Sequence, residues 1–144
     1  MGLRPHLFLF LLFAACASAL SVQPRIVIAQ TSQVQPLRTL SETAVPVEFR
    51  LDIENPLDHQ VTLLTVEMET VGETGGYFMP RVRHNFSKQI AAHKTESLDI
   101  RTWVRPLQET DTGRIVTAVM IRGTARFDSN GTTIQSAFTG RLSQ

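Results

Sequence analysis

Few side chains in this chain could carry chemistry: four histidines, one cysteine and one tryptophan stand out among its 144 residues. Hydrolysis, group transfer or metal binding needs such groups to converge, with a base beside a nucleophile or several ligands at coordinating spacing. His6 belongs to an apolar leader, His59 sits in a turn, and His84 and His93 fall in a stretch without regular patterning. No His-x-x-x-His pair, cysteine partner or acidic cluster makes a metal site of them. Ser87, Ser97 and Ser129 lie in no strand-turn-helix context that would expose a nucleophile. Gly72, Gly75 and Gly76 precede no helix whose N-terminus could take a phosphate. The sequence therefore predicts no catalytic residue, no metal, no cofactor and no small-molecule substrate.

Cys16 is the one group whose surroundings assign it a reaction. Arg4 precedes an apolar run from Leu7 to Ala15, too short to stay in a bilayer as a helix, which reads as the core of an export signal. Two processing sites compete. Ala17-Ser18-Ala19 suits a general signal peptidase and would release a soluble chain from Leu20. Phe13-Ala14-Ala15-Cys16 resembles a bacterial lipobox, in which the cysteine thiolate accepts diacylglycerol and becomes the new N-terminus. Several acyl chains on Cys16 would hold the protein at a membrane, and Ala17 in place of aspartate points to the outer one. The expected organisation is a signal over 1–19 and one domain over 20–144. As Cys16 is the only cysteine, that domain has no internal disulfide.

With 14 Lys+Arg against 13 Asp+Glu the formal charge is +1, so no whole-molecule attraction to nucleic acid is expected. Charge is uneven locally. Between Glu73 and Glu96 there is no acid, while Arg81, Arg83, Lys88 and Lys94 occur with His84 and His93. That strip could contact an anionic surface such as lipid headgroups, or it could be a solvated edge strand whose cations discourage pairing. Trp103, between Arg101 and Arg105 on the outward parity of its strand, suits a binding surface unless the loop Leu107 to Arg114 covers it.

The elements that must position these residues are strands. Val45, Val47, Phe49, Leu51 and Ile53 alternate with Glu48, Arg50, Asp52 and Glu54, and Asn55-Pro56 ends the run. Val61 to Thr70 sets Leu64, Val66 and Met68 on one face, and the run 71–76 is a turn. Tyr77 to Phe86 is less regular and holds one short edge strand. Leu98, Ile100, Thr102 and Val104 form the inward set of another strand, closed by Pro106. Val119 to Asp128 and Ile134 to Leu142 are the arms of a hairpin whose Asn130-Gly131 supplies the positive φ of a tight turn. With Arg25 to Ala29 and an optional strand at Leu37 to Leu40, the count is six to eight. No apolar period of 3.6 is sustained, which predicts an all-β, immunoglobulin-like antiparallel sandwich of fibronectin type III character.

The order of these features resembles the late-embryogenesis-abundant type 2 (LEA type 2), or water-stress and hypersensitive-response (WHy), domain. The resemblance rests on Pro24-Arg25-Ile26-Val27-Ile28, on Phe49 to Glu54 closing on Asn55-Pro56, and on the following strand and glycine turn. It also rests on Ile121-Arg122-Gly123-Thr124-Ala125 and Phe138-Thr139-Gly140-Arg141-Leu142. Leu57 departs from the polar residue common after Asn-Pro, and Tyr77 to Lys94 aligns poorly. The resemblance implies a sandwich without enzymatic activity and a stress-protective role, desiccation tolerance among them, in an envelope lipoprotein whose Cys16 is followed by Ala17-Ser18. The alternative expectation is an accessory module that binds a protein partner through its edge strand near Arg81 to Lys88 or through the basic strip.

Overall fold

The computed structural model describes residues 22–34, 44–72, 76–106 and 118–143. The leader with Cys16, the strand expected at Leu37 to Leu40 and the loop Leu107 to Arg114 lie outside those residues. The described chain forms eight strands: β1 (Arg25–Gln30), β2 (Val45–Glu54), β3 (Val61–Thr70), β4 (Tyr77–Phe78), β5 (Val82–Ile90), β6 (Thr95–Pro106), β7 (Val119–Ser129) and β8 (Thr132–Leu142). They make two antiparallel sheets, ordered β1-β2-β6-β4 and β5-β3-β7-β8. The chain stays in one sheet from β1 to β2 and from β7 to β8 and changes sheet at every connection from β2 through β7, as in an immunoglobulin-like sandwich.

Alternation drives the packing. Val47, Phe49, Leu51 and Ile53 of β2 are fully buried, while Glu48, Arg50 and Glu54 face solvent. Ile100 and Val104 of β6 pack beside them, against Leu63, Val66, Met68, Ile121, Ala125, Phe127 and Phe138 from the other sheet. Each fully buried large aliphatic or aromatic side chain contributes about 1.5–3 kcal/mol, and this stock of apolar surface is what holds a sandwich lacking disulfides together.

Two segments depart from their sequence pattern. In β3 the register against β7 slips between Leu63 and Thr65, so Leu64 is an extra residue opposite no single partner. The buried set is therefore Val61 and Leu63 before the slip and Val66, Met68 and Thr70 after it, with Thr65 buried at the slip itself; Leu64 is not the start of a continuous inward stripe. The stretch expected to hold one short edge strand instead holds β4 and the nine-residue β5. β5 alternates regularly, but its inward positions are Val82, His84, Phe86, Lys88 and Ile90, and the two basic residues break the apolar code. His84 is accordingly a half-buried strand residue rather than a solvated loop histidine.

The sandwich closes differently on its two sides. Along β1 and β8, the Gln30 amide donates to the Ser143 carbonyl and accepts from the Ser143 N–H, both at 2.8 Å. Ile28 lies against Gly140 there, where an added Cβ would come within 2.4 Å of its Cγ2. Along β5 and β6 the sheets are held by an ion pair, Lys88 Nζ to Glu96 Oε2 at 2.9 Å. The C-terminal hairpin turns at Asn130 (φ 53°) and Gly131 (φ 82°), with the Gly131 N–H donating to Asp128 Oδ1 at 3.0 Å. That is the paired positive-φ turn whose twist matches the strands it joins.

Candidate functional site: an aromatic and arginine face on the first sheet

Paired residues of an antiparallel ladder project to the same side. β2 and β6 therefore place Pro46 with Trp103, Glu48 with Arg101 and Arg50 with Asp99 on the outer face of the first sheet, and β4 adds Phe78 beside Arg105. Trp103 is 54% exposed and Phe78 36% exposed, an unusual outlay of aromatic surface for a sheet face. The Arg101 guanidinium lies 5.8 Å from the Trp103 ring centroid, within cation–π range. That contact orients the ring, and Trp103 stays more than half exposed. A shallow depression of about 340 Å³ adjoins this patch, lined by Ser32, Gln33, Val45, Pro46, Glu48 and Arg101. Arg101, Trp103 and Arg105, grouped on sequence parity, are thus brought together, and the structure adds Phe78 and Pro46. Phe78 was beyond sequence reasoning because a two-residue strand leaves no alternation to read.

The basic strip is distributed differently. Arg81 and Arg83 project from the edge of the second sheet, where β3 supplies their counter-ions: Arg81 binds Glu69 at 3.0 Å and Arg83 approaches Glu67 at 3.5 Å. Glu69 is shared, since Arg122 of β7 reaches it from the other side at 2.7 Å. The Arg81 and Arg122 guanidiniums hold the Glu69 carboxyl below its usual range, and Glu69 in turn raises Arg81. Lys88 faces inward to Glu96, and exposed Lys94 lies in the turn before β6. The four cations do not form one positive surface. The acids that neutralise three of them come from other strands and are invisible in a local window. Beside Glu69, Arg81, Arg122 and Arg126 border a shallow depression of about 530 Å³ together with Glu67 and Gln135, so it carries both signs of charge.

His59 and His93 take structural partners. His59 Nε2 lies 2.6 Å from Ser129 Oγ, whose residue is 8% exposed at the end of β7, and His93 Nε2 lies 2.9 Å from Asp58. Among the described residues no group of three or more His, Cys, Asp or Glu could hold a metal ion. His84 packs near Phe86 with ring centroids 6.5 Å apart, and its buried Nε2 has no hydrogen-bond partner. Burial lowers the His84 pKa from the ordinary imidazole value because the charged form loses hydration. A lowered folded-state pKa means the unfolded chain binds the proton first, so stability is full above about pH 6.5 and is lost as pH falls through the folded pKa. We expect the urea midpoint to drop between pH 7 and 5, and His84→Leu to flatten that dependence; an unchanged slope in the variant would place the titrating group elsewhere.

The fold and the face together define a class: an immunoglobulin-like β-sandwich presenting an exposed tryptophan flanked by arginines. No family model matches the chain, and no curated relative matches it. Among solved structures the chain is similar to the Putative ApaA Protein from Bordetella pertussis, with a TM-score of 0.50 and 15% identity. The alignment covers 83% of this chain and 94% of that one, and at this identity the likeness speaks to the fold alone.

Proposed function

We propose that this protein is a non-enzymatic, exported accessory module that binds a protein partner through the outer face of its first sheet, tethered to the cell envelope by acyl chains on Cys16. The observation that carries the reading is Trp103, 54% exposed and oriented by Arg101, with Phe78 and Arg105 alongside. Tryptophan and arginine dominate the energetics of protein interfaces because they bury large area while retaining a polar edge. The ion-paired Arg81 and Arg83 favour this face over the basic strip, since a partner there must first displace Glu69 or Glu67. A stress-protective role is the second reading, supported by the strand order around Asn55-Pro56 that carries the LEA type 2 resemblance. Pro56 follows a buried Asn55 that ties two turns together, so folding alone accounts for that motif.

The test is substitution with a stability control. Trp103→Ala and Arg105→Glu should each weaken the partner complex by about 30-fold, as loss of a central anchor does, with the melting temperature of the free protein unchanged. Arg83→Glu on the other sheet should leave affinity as it is. Equal affinity for all three variants would remove this face from consideration.

A further inference from the structure

Among the described residues, β6 pairs with β2 along Thr95–Val104 on one side, but on the other it meets only Tyr77 and Phe78 of β4, at Pro106 and Arg105. Among the described residues no strand pairs with the edge from Thr95 to Val104. Natural sheets blunt such edges with inward charges, bulges or proline. β5, the edge strand of the other sheet, follows that practice with His84 and Lys88 at inward positions. β6 does so only at its start, where Glu96 turns inward to Lys88. From Ser97 to Val104 its inward residues are Leu98, Ile100, Thr102 and Val104, its register against β2 is unbroken, and proline arrives only at 106.

We infer that this edge is a docking surface for a second copy of the chain, pairing β6 with β6 antiparallel about a two-fold axis through Ile100. Charge selects both the occupant and the register. A two-fold perpendicular to the sheet keeps outward residues opposite outward residues, so the axis must pass through a residue rather than between two. Centred on Asp99, the pairing would set Asp99 against Asp99. Centred on Arg101, it would set Arg101 against Arg101. Centred on Ile100, it sets Asp99 of each copy opposite Arg101 of the other, two matched pairs. Like charges directly opposite are destabilising and opposite charges stabilising, so one register is favoured and its neighbours are penalised. The same register confines the new ladder to residues 96–104, clear of the positions that β4 occupies at Arg105 and Pro106.

Asp99 has capacity for the partner. Its carboxylate binds Arg50 through Oδ1 at 3.1 Å, and its side chain is 68% exposed. Because the axis is perpendicular to the sheet, both Trp103 rings emerge on the same side of the joined sheet. The inference shares Arg101 with the face proposed above but does not require its partner, as an edge-to-edge pair leaves both outer faces open.

The test is a charge-exchange experiment on the purified protein, read by sedimentation equilibrium from about 1 µM to 1 mM. The wild-type mass should rise from one copy to two within that range. Asp99→Lys alone opposes Lys to Arg, and Arg101→Glu alone opposes Asp to Glu, so each variant should dimerise at least about tenfold more weakly. Mixing the two should restore dimerisation, because the mixed pair opposes Lys to Glu and Arg to Asp. Should a charge variant fail to fold by circular dichroism, an Asp99→Cys/Arg101→Cys chain should give a disulfide-linked dimer on mild oxidation where Asp99→Cys alone does not. A wild-type chain that stays monomeric to about 1 mM, a dimer indifferent to both charge changes, or a mixture no better than its components would each overturn the inference.

Discussion

Replacing Asn55 with alanine should lower the free energy of unfolding by about 3 kcal/mol, among the largest losses any polar substitution in this chain will produce. Asn55 is fully buried. Its Nδ2 faces the carbonyls of His59, Ile90 and Ala91 at 2.8, 3.1 and 3.1 Å, its Oδ1 accepts the Leu57 N–H at 3.1 Å, and its own N–H reaches the Lys94 carbonyl at 2.9 Å. One side chain thus ties the β2–β3 turn to the β5–β6 turn. Alanine leaves those buried groups without partners, and each such group costs about 1–3 kcal/mol when no water can replace the lost contact. Asn55→Asp should be worse than alanine at pH 7, since it turns a carboxylate toward three carbonyl oxygens. Urea unfolding with an unchanged m-value checks both; a loss below about 0.5 kcal/mol for alanine would show the corner is water-filled.

Gly123→Ala should cost about 2 kcal/mol through overpacking, and the cost should vanish when Phe138 is removed. A Cβ on Gly123 would lie 2.1, 2.5 and 2.7 Å from three ring carbons of Phe138, the residue directly opposite in the β7–β8 ladder. Phe138 is 5% exposed, so its ring has little room to move. The ring covers the glycine backbone, and this contact sets how closely β8 packs over β7. Phe138→Ala alone should lose about 3–5 kcal/mol from the cavity it leaves. In that background Gly123→Ala should be neutral or mildly stabilising, giving a coupling of more than about 1 kcal/mol in a double-mutant cycle. Additive losses would contradict the contact.

These two sites show what the chain's local pattern conveys and what it withholds. Asn55-Pro56 is legible as a strand stop, because proline cannot donate to a ladder. Its role as a tie is not, because the Ile90 and Ala91 carbonyls come from 35 and 36 residues away. The arms and turn of the β7–β8 hairpin follow from alternation and from Asn130-Gly131, yet the Gly123–Phe138 contact depends on a cross-strand register that alternation does not number. β2 and β6 are readable throughout because every inward position is apolar or threonine over their central lengths. β5 hides because His84 and Lys88 take inward positions, and β3 misleads halfway because one extra residue inverts its parity. For the candidate site, the outward parity of Arg101, Trp103 and Arg105 is legible in β6 itself. The neutralisation of Arg81 and Arg83 is not, since Glu69 and Glu67 lie on the neighbouring strand.

The most direct test of the binding face places a photoactivatable phenylalanine analogue at position 103 and, separately, at position 124 on the outer face of the second sheet, in cells producing the full-length protein. Irradiation should give one discrete covalent adduct of constant mass from position 103, lost when Arg105→Glu is added, and none from position 124. An adduct from position 124 alone, or no adduct from either position, would contradict the assignment of the Trp103 face as the binding surface.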